Sequence, residues 1–427
     1  MRKNIYDKDF GYNILKPIVD WNLKHSYRKV EVRGKENIPT DGAVIIAPNH
    51  CNTLMDALVI LRAFDNETVF GARADMFNNA FVAKLMYFIR ILPMVRQRDG
   101  LRNVLKNYET QEVIVDTLKN KVRFCMFPEG RHRPAHSLQV LGKGTFRAAL
   151  AANAAFGSEM PVYIVPTGIE YGDYFRYRST SLVTFGKPIN VTQMVKELNL
   201  DNEAQIMDHL RKELTARISE LITYINYDDD YAPKWTLTKI RARGFKGCLY
   251  EKMLNNRAIV ADIEKACEEK PEQMQELFSK VNTFEKERRK KGVSIYSFGK
   301  KNLALNVVGK GLAAVLGLPY FLFSGVVALP WWGVAEFLKK KIRDKAFRNT
   351  AVFGVKLAEN ITLGVIYAIL AFCLLPWPWA LAFLALAGPA YSYIYDYVEF
   401  IRRWISDIKL LGEKKLQKTF AALKAAK

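Results

Sequence analysis

Short apolar runs and amphipathic stretches alternate along the first half of the chain. Strands are predicted at residues 29–33, 44–48, 68–71, 91–95, 122–127, 161–169 and 181–185. Helical spacing of the apolar residues predicts helices at residues 10–25, 54–60, 80–90, 101–120 and 144–155. Strands that alternate with helices are typical of a mostly parallel β-sheet flanked by helices. The pattern therefore predicts an α/β fold.

The pattern changes twice in the second half of the chain. Residues 234–300 have a polar, helical pattern rich in Lys and Glu, and beyond residue 302 long apolar runs appear. We therefore predict a helical region and then C-terminal apolar membrane hairpins. The predicted domains are an N-terminal amphipathic helix (1–28), an α/β domain (29–227), a charged helical region (228–301) and a membrane-associated helical hairpin region with a basic tail (302–427).

Lysine and arginine lie before the apolar run at 311–337, between it and the two later runs at 361–375 and 380–395, and after the last run. The segment Pro-Trp-Pro-Trp at 376–379 separates the two later runs. Because positive flanks prefer the cytoplasm, each apolar region is expected to enter and leave a membrane on the same side, as a hairpin or a re-entrant pair. The two later runs are about 15 residues long, short of the roughly 20 residues that span a bilayer. A buried core hairpin of a soluble domain is the alternative.

The predicted N-terminal helix combines aromatic residues with surrounding lysines, and Pro17 interrupts its pattern. The proline predicts either a kink or a helix start at that position. Such a helix can lie on a membrane surface or pack on the domain that follows. Both interpretations are open at this point.

The amino-acid composition indicates what kind of partner the protein binds. The 427-residue chain carries a net charge of +21, which favours a polyanionic partner. Since the charge flanks apolar, tryptophan-rich segments, and neither zinc-finger spacing nor an RNA-binding signature is present, we expect anionic membrane lipids and no nucleic acid. Five scattered cysteines and an N-terminus without an apolar secretory core predict a location on the cytoplasmic face of a membrane.

Candidate chemistry begins where the strand at 44–48 ends. His50 lies in the predicted turn and Asp56 lies early in the next helix. A histidine at a strand end can act as a general base, and a carboxylate can orient its ring. The simpler alternative is a capping box, in which Thr53 caps the helix and Asp56 lies near its positive end.

Two further strand ends carry polar residues. Arg96 and Arg98 follow the strand at 91–95, and Glu129, Gly130 and Arg131 follow the strand at 122–127. In a parallel sheet these loops leave the same carboxyl edge as His50. Guanidinium groups bind phosphate through two parallel hydrogen bonds. A base beside a phosphate site suits deprotonation of a hydroxyl group on a phosphorylated alcohol.

Other reactive side chains receive simpler interpretations. Cys51 is disfavoured as a nucleophile because adjacent side chains diverge. His132 and His136 lack the spacing of metal ligands and are expected to be exposed loop residues. No metal ligand is therefore predicted.

At this point the sequence resembles the glycerolipid acyltransferases, a family that includes the 1-acylglycerol-3-phosphate and glycerol-3-phosphate acyltransferases. The resemblance covers roughly residues 30 to 190. It rests on Asn49-His50 with Asp56, on the run from Phe127 to Arg131 (Phe-Pro-Glu-Gly-Arg) and on the run from Val165 to Gly168 (Val-Pro-Thr-Gly). The segment from Pro93 to Arg98 occupies the place of the family's arginine-bearing motif.

The resemblance implies an enzyme that moves a fatty acyl group to the hydroxyl of 1-acylglycerol 3-phosphate. His50 would be the base and Asp56 its orienting acid, while Arg96, Arg98 and Arg131 would hold the phosphate. Glu129 and Gly130 would shape the acceptor site. The acyl donor would be acyl-CoA or an acyl carrier protein, and no cofactor is expected.

One departure from the family pattern leaves alternatives open. Five residues separate His50 from Asp56, where the family usually has four. If the extra residue lay in the helix, the carboxylate would rotate by about 100° and the pair would be lost. Glycerol-3-phosphate acyltransferase activity is therefore a second expectation, because some members of that group have a similar gap. A catalytically silent lipid-binding or scaffold protein of the same fold is a third.

Overall fold

The computed structural model describes residues 4–7, 9–64, 68–94 and 102–426, apart from the side chains of 102–108. The chain forms two compact units. The first comprises residues within Met1–Lys24, Lys29–Tyr174 and Ser179–Ile222. The second comprises residues within His25–Arg28, Phe175–Arg178 and Thr223–Lys427.

An eight-stranded sheet organises the described part of the first unit. Its strands are β1 (Tyr27–Arg33), β2 (Ala43–Pro48), β3 (Thr68–Arg73), β4 (Ile91–Met94), β5 (Arg123–Cys125), β6 (Val162–Tyr171), β7 (Ser179–Phe185) and β8 (Ile189–Asn190). The order is β1-β7-β6-β2-β5-β3-β4, and β8 also pairs with β6. The two-residue strand β8 has no apolar run, so the pattern did not predict it.

Strands β2 to β6 form the parallel part of the sheet. β2 runs parallel to β5 and β6, and β3 runs parallel to β4 and β5, while β7 and β8 are antiparallel to β6. Every residue of β2 is buried, since helices cover both faces of a parallel sheet. The predicted α/β class is confirmed.

The helices of this region begin and end close to the predicted positions. They are α1 (Phe10–Ser26), α2 (Leu54–Arg62), α3 (Ala80–Phe88), α4 (Arg102–Lys119), α5 (Gly144–Phe156), α6 (Val191–Leu198) and α7 (Glu203–Glu220). Helix α1 is continuous through Pro17. Tyr12 and Leu23 are buried, whereas Phe10 and Trp21 are exposed. One side of α1 therefore packs on protein and the other presents aromatic residues outward.

The second unit is helical. Its helices are α8 (Tyr231–Arg241), α9 (Leu249–Glu269), α10 (Pro271–Lys290), α11 (Leu303–Lys341), α12 (Phe347–Ile361), α13 (Leu363–Leu374), α14 (Trp377–Ala387), α15 (Ala390–Gly412) and α16 (Lys414–Ala425). Helices α8, α9, α10 and α16 share an apolar core that includes Phe278, Phe284 and Phe420. The charged helical region thus has its own core, which the basic tail helps to form.

The first apolar run is one helix, α11, and not the hairpin or re-entrant pair that its positive flanks predicted. Pro319 and Pro330 lie inside the helix. Its 39 residues rise roughly 58 Å, which exceeds the roughly 30 Å hydrocarbon core of a bilayer. A helix satisfies nearly all of its backbone hydrogen-bonding groups internally, which apolar surroundings require. A continuous helix therefore persists there although each proline removes one backbone donor.

Antiparallel packing joins α11 to α15. Along α11 the carbonyl oxygens of Val307, Ala314 and Gly317 accept hydrogen bonds from Trp404, Tyr397 and Tyr393, respectively. The reversed order of these partners along α15 defines the antiparallel direction.

Two segments have the length and composition of membrane spans: Leu303–Lys341, and Phe347–Leu374, which comprises α12 and α13. Little of their apolar surface is buried in protein, with 22% and 11% of the most apolar windows covered. The core helix of a soluble domain would be mostly buried, so this exposure favours a membrane. Helices α13 and α14, joined at Leu375 and Pro376, pack against each other, while the last predicted run (380–395) is divided between α14 and the start of α15.

Candidate active site

The candidate site begins at the carboxyl end of β2, where Asn49 fixes the loop to the neighbouring strand. The Asn49 side chain donates to the carbonyl of Ile169 (3.1 Å) and accepts from its backbone N–H (2.7 Å). Both partners are buried. These two hydrogen bonds continue the pairing of β2 with β6 beyond the end of β2. They hold the backbone directly before His50 in place.

The imidazole of His50 lies against the carboxylate of Asp56. Its Nδ1 is 2.8 Å from Oδ2 of Asp56, which assigns the proton to Nδ1 and leaves Nε2 as the basic nitrogen. The His50 side chain is 17% exposed and that of Asp56 is fully buried. The ring of Phe127 stacks on His50 with centroids 4.4 Å apart. Phe127 therefore covers one face of the His50 ring, and Asp56 fixes which ring nitrogen carries the proton.

Hydrogen-bond donors surround the Asp56 carboxylate. Oδ2 also accepts from the backbone N–H groups of Cys51 (2.8 Å) and Asn52 (2.7 Å). Oδ1 accepts from the hydroxyl of Tyr171 (2.8 Å). Donors of this kind stabilise the charged carboxylate in a buried position. Asp56 can therefore orient His50 and stabilise a protonated ring.

The extra residue between His50 and Asp56 lies in the turn. Helix α2 begins at Leu54, and Thr53 at its N-cap has a positive φ of 47°. The Thr53 side chain makes no capping hydrogen bond, and the Asp56 carboxylate bonds to groups in the turn. The capping-box alternative is wrong for this reason. The positive φ of Thr53 bends the chain directly before the helix, and Asp56 in the first helical turn contacts His50.

The loop after β5 is linked to His50 through the Glu129 carboxylate. Oε1 accepts from the backbone N–H of His50 (2.7 Å), and Oε2 accepts from the backbone and side chain of Gln139 (3.0 and 3.1 Å). Burial raises the pKa of Glu129, while these hydrogen bonds oppose the shift. Gly130 has a φ of 62°, which the sharp turn after Glu129 requires.

Of the three arginines predicted to bind phosphate, the structure describes Arg131. Arg131 lies in the same loop as Glu129 and is exposed, and its carbonyl accepts from Gln139 (2.7 Å). Arg96 and Arg98 lie outside the described residues. The guanidinium of Arg133 instead donates to Leu138 (2.8 Å), and its backbone N–H donates to the carbonyl of His50 (2.9 Å). Phosphate binding by Arg131 stays a prediction.

Two histidines expected in exposed positions are placed differently. The ring of His132 lies edge-on to His50 with centroids 5.8 Å apart. His136 is 6% exposed, and its Nδ1 lies 3.5 Å from Oε1 of Glu170. The expectation was wrong because the loop folds inward, where Gln139 bonds to Glu129. His132 is thus part of the surroundings of His50.

Cys51 does not have the character of a nucleophile. Its side chain is buried, and burial together with the adjacent Asp56 charge raises its thiol pKa well above the ordinary value. A protonated thiol is a weak nucleophile. The structure thus agrees with its exclusion from the predicted chemistry.

Tyr171 is the functional neighbour that sequence reasoning missed. It is 115 residues from Asp56 in the chain and looks like another apolar strand residue. Its position in the sequence could have indicated this role. Tyr171 is the last residue of β6, and β6 runs parallel to β2. A hydroxyl at that strand end lies at the same edge as the His50 loop.

Residues 29–170 match the family model of the acyltransferases. Over 111 residues the chain is 32% identical to glycerol-3-phosphate O-acyltransferase 2 of Saccharomyces cerevisiae, which covers 26% of this chain and 15% of the yeast protein. Over 174 residues it is 28% identical to an uncharacterized protein of Mycobacterium bovis, which covers 38% of this chain and 43% of that protein. The chain thus spans less than half the length of these curated relatives.

A crystal structure of the 1-acyl-sn-glycerophosphate acyltransferase PlsC from Thermotoga maritima is also similar. The alignment has 19% sequence identity and a TM-score of 0.35, and it covers 52% of this chain and 83% of that one.

The residues that match the acyltransferase model contain the parallel strands β2 to β5 and the His50–Asp56 pair at their carboxyl edge. The family model and the yeast relative confirm the resemblance to glycerolipid acyltransferases that the motifs predicted.

Proposed function

We propose that the protein transfers a fatty acyl group from a thioester donor to the hydroxyl of a glycerol phosphate. The observation that carries this proposal is the 2.8 Å contact between His50 Nδ1 and a fully buried Asp56. In the neutral ring that contact places the proton on Nδ1, so that Nε2 can accept a proton at the carboxyl edge of the sheet.

In the proposed reaction, Nε2 of His50 takes the proton of the acceptor hydroxyl. The oxygen attacks the thioester carbonyl carbon, a C–O bond forms and the C–S bond breaks. The departing thiolate then takes the proton from the imidazolium. Asp56 stabilises the imidazolium between these two transfers. No cofactor takes part, since acyl-CoA or an acyl carrier protein is consumed as the donor.

The loop arginines are proposed to hold the acceptor phosphate. Arg131 is exposed near the base, and Arg96 and Arg98 follow β4, which belongs to the same parallel sheet. The Glu129–Gly130 turn supports this loop, with Glu129 bonded to the His50 backbone. We therefore assign Glu129 to positioning the site, and leave contact with phosphate to the guanidinium groups.

Two acceptors follow from this proposal. The motif resemblance favours 1-acylglycerol 3-phosphate. The second candidate is glycerol 3-phosphate, because the yeast relative is named as an acyltransferase for that compound. Both share the phosphate and the adjacent hydroxyl that the site would recognise.

We further propose that the protein works at a membrane, on its cytoplasmic face, with anionic lipids beneath it. The two segments of membrane-span composition and the net charge of +21 support this location. A membrane would supply the apolar donor chain and, for the first candidate, the acylated acceptor.

The test uses the full chain in neutral detergent with labelled acyl-CoA and each acceptor. We expect labelled product with one or both acceptors, and loss of product in His50→Ala with unchanged thermal unfolding. A His132→Ala variant is the matched control, because it removes the neighbouring imidazole and leaves the His50–Asp56 contact in place. Full activity of His50→Ala would exclude the mechanism. Inactivity of the wild type with all donors and acceptors would favour the silent scaffold.

A further inference from the structure

We propose that the second unit has a binding site for an anionic glycerophospholipid at the start of helix α11, separate from the candidate active site. The site is a cavity of about 410 Å³, within the 300–1,000 Å³ that is usual for ligand pockets. It lies among the helix α16, the end of α15 and the segment that leads into α11.

The cavity wall is mostly apolar. Leu303, Leu410, Phe420 and Ala421 line it, together with Phe298, whose ring stacks on Phe420 with centroids 4.7 Å apart. An aromatic and aliphatic wall of this kind suits an acyl chain.

Two lysines add positive charge to the lining. Lys300 precedes α11, and Lys424 lies on α16, where it is exposed and donates to the carbonyl of Arg243 (2.6 Å). Lys300 lies 2.5 Å from Asp407, which is also 2.7 Å from Lys310. Because one carboxylate faces two lysines, this cluster keeps a surplus positive charge.

Two arginines extend the positive charge. The guanidinium groups of Arg243 and Arg403 lie over the ring of Tyr296, 5.5 and 5.3 Å from its centroid. Arg243 also donates to the carbonyl of Phe298, a residue that lines the cavity. The described surroundings of the cavity therefore pair an apolar wall with several cations and one buried acid.

The position along the chain identifies the ligand class. Leu303 is the first residue of α11, which has the length and composition of a membrane span. A basic pocket at the end of a membrane helix lies at headgroup depth, where an anionic phosphate and an acyl chain are both at hand. Lys300 and Lys424 would bind the phosphate, and the apolar wall would take part of one chain.

The test measures thermal unfolding of the full chain in neutral detergent with short-chain phosphatidylglycerol, phosphatidylcholine of the same chains, or inorganic phosphate. Phosphatidylglycerol is chosen because it is neither a substrate nor a product of the proposed reaction. We expect it alone to raise Tm, by roughly 3–5 °C at saturation.

Three variants locate the binding. Lys424→Gln removes a cation from the wall and Ala421→Trp fills the cavity, and each is expected to remove at least half of the Tm shift. Lys418→Gln makes the same charge change at an exposed position of α16 that does not line the cavity, and it should keep the full shift. His50→Ala should also keep it, which separates this site from the proposed reaction.

Several results would overturn the proposal. Equal shifts with phosphatidylcholine would remove the requirement for a net negative headgroup, and an equal shift with inorganic phosphate would show a free-anion site. Unchanged shifts in both cavity variants, or a loss in Lys418→Gln as large as in Lys424→Gln, would show that the lipid binds elsewhere.

Discussion

Asp56 in the first unit and Asp407 in the second are both fully buried, yet their partners differ in kind. Asp56 accepts from two backbone N–H groups, a tyrosine hydroxyl and one imidazole. Asp407 lies between two lysines. The first carboxylate can still influence a group that gains and loses a proton. The second is neutralised by permanent cations, so its role is to join α15 to the start of α11.

The largest effect is expected for Asp56→Asn. The amide oxygen can take the place of Oδ2, and the amide N–H₂ can donate to Tyr171, so the fold should persist. The negative charge that stabilises the imidazolium is lost, and we expect kcat to fall by about 10²–10⁴. Steady-state kinetics and thermal unfolding measured on the same preparation check this. A kcat within threefold of the wild type would contradict the assigned role.

Glu129→Gln should have the next largest effect on activity. A glutamine has one acceptor oxygen, so either His50 or Gln139 loses its hydrogen bond. We expect kcat to fall by about 10-fold to 100-fold, since displacing a catalytic loop by a fraction of an ångström is costly. Gln139→Ala, which keeps the bond to His50, is the control and should be milder.

Tyr171→Phe removes one hydroxyl from the surroundings of Asp56. The carboxylate keeps its contact with His50 but loses a partner at Oδ1. We expect a roughly 3-fold to 10-fold fall in kcat with little change in KM, because losing one hydrogen bond at a carboxylate that keeps its other partners costs about 1 kcal/mol. Tyr163→Phe is the matched control. It removes a hydroxyl on the same strand that bonds to exposed Asp41, and its kinetics should equal those of the wild type.

Asp407→Asn tests the second carboxylate of this comparison, which we expect to affect stability and not activity. Losing the charge leaves Lys300 and Lys310 facing each other, which we expect to lower the free energy of unfolding by about 2–3 kcal/mol. The kcat of the protein that stays folded should change less than twofold. A calorimetric scan beside the kinetic assay measures both quantities, and a loss of kcat with unchanged Tm would reverse the assignment.

The smallest effect on activity is expected at Cys51. Its thiol pKa is raised well above the ordinary value, so the thiol stays protonated up to high pH and alkylation of the native protein should be slow. Half-buried Cys248 provides the comparison. Mass spectrometry after iodoacetamide treatment at mildly alkaline pH should show modification of Cys248 long before Cys51. Cys51→Ser should retain at least half of the wild-type kcat.

The sequence pattern predicted most of the sheet because buried parallel strands such as β2 are short and continuously apolar. Tyr171 was missed because its role depends on strand order, which brings the ends of β2 and β6 together only after folding. The continuity of α11 was missed because positive residues flank both ends of the apolar run, which predicted that it enters and leaves a membrane on the same side. His136 was misplaced because loop burial depends on the packing of distant segments.

The turn at Thr53 has a consequence for recognising related chains. Its backbone takes up one additional residue while the amides of Cys51 and Asn52 still converge on Asp56. His50 and Asp56 can therefore stay in contact although one more residue lies between them in the sequence. A pattern search with a fixed interval between histidine and aspartate would overlook such chains, whereas a search that allows one insertion there would retain them.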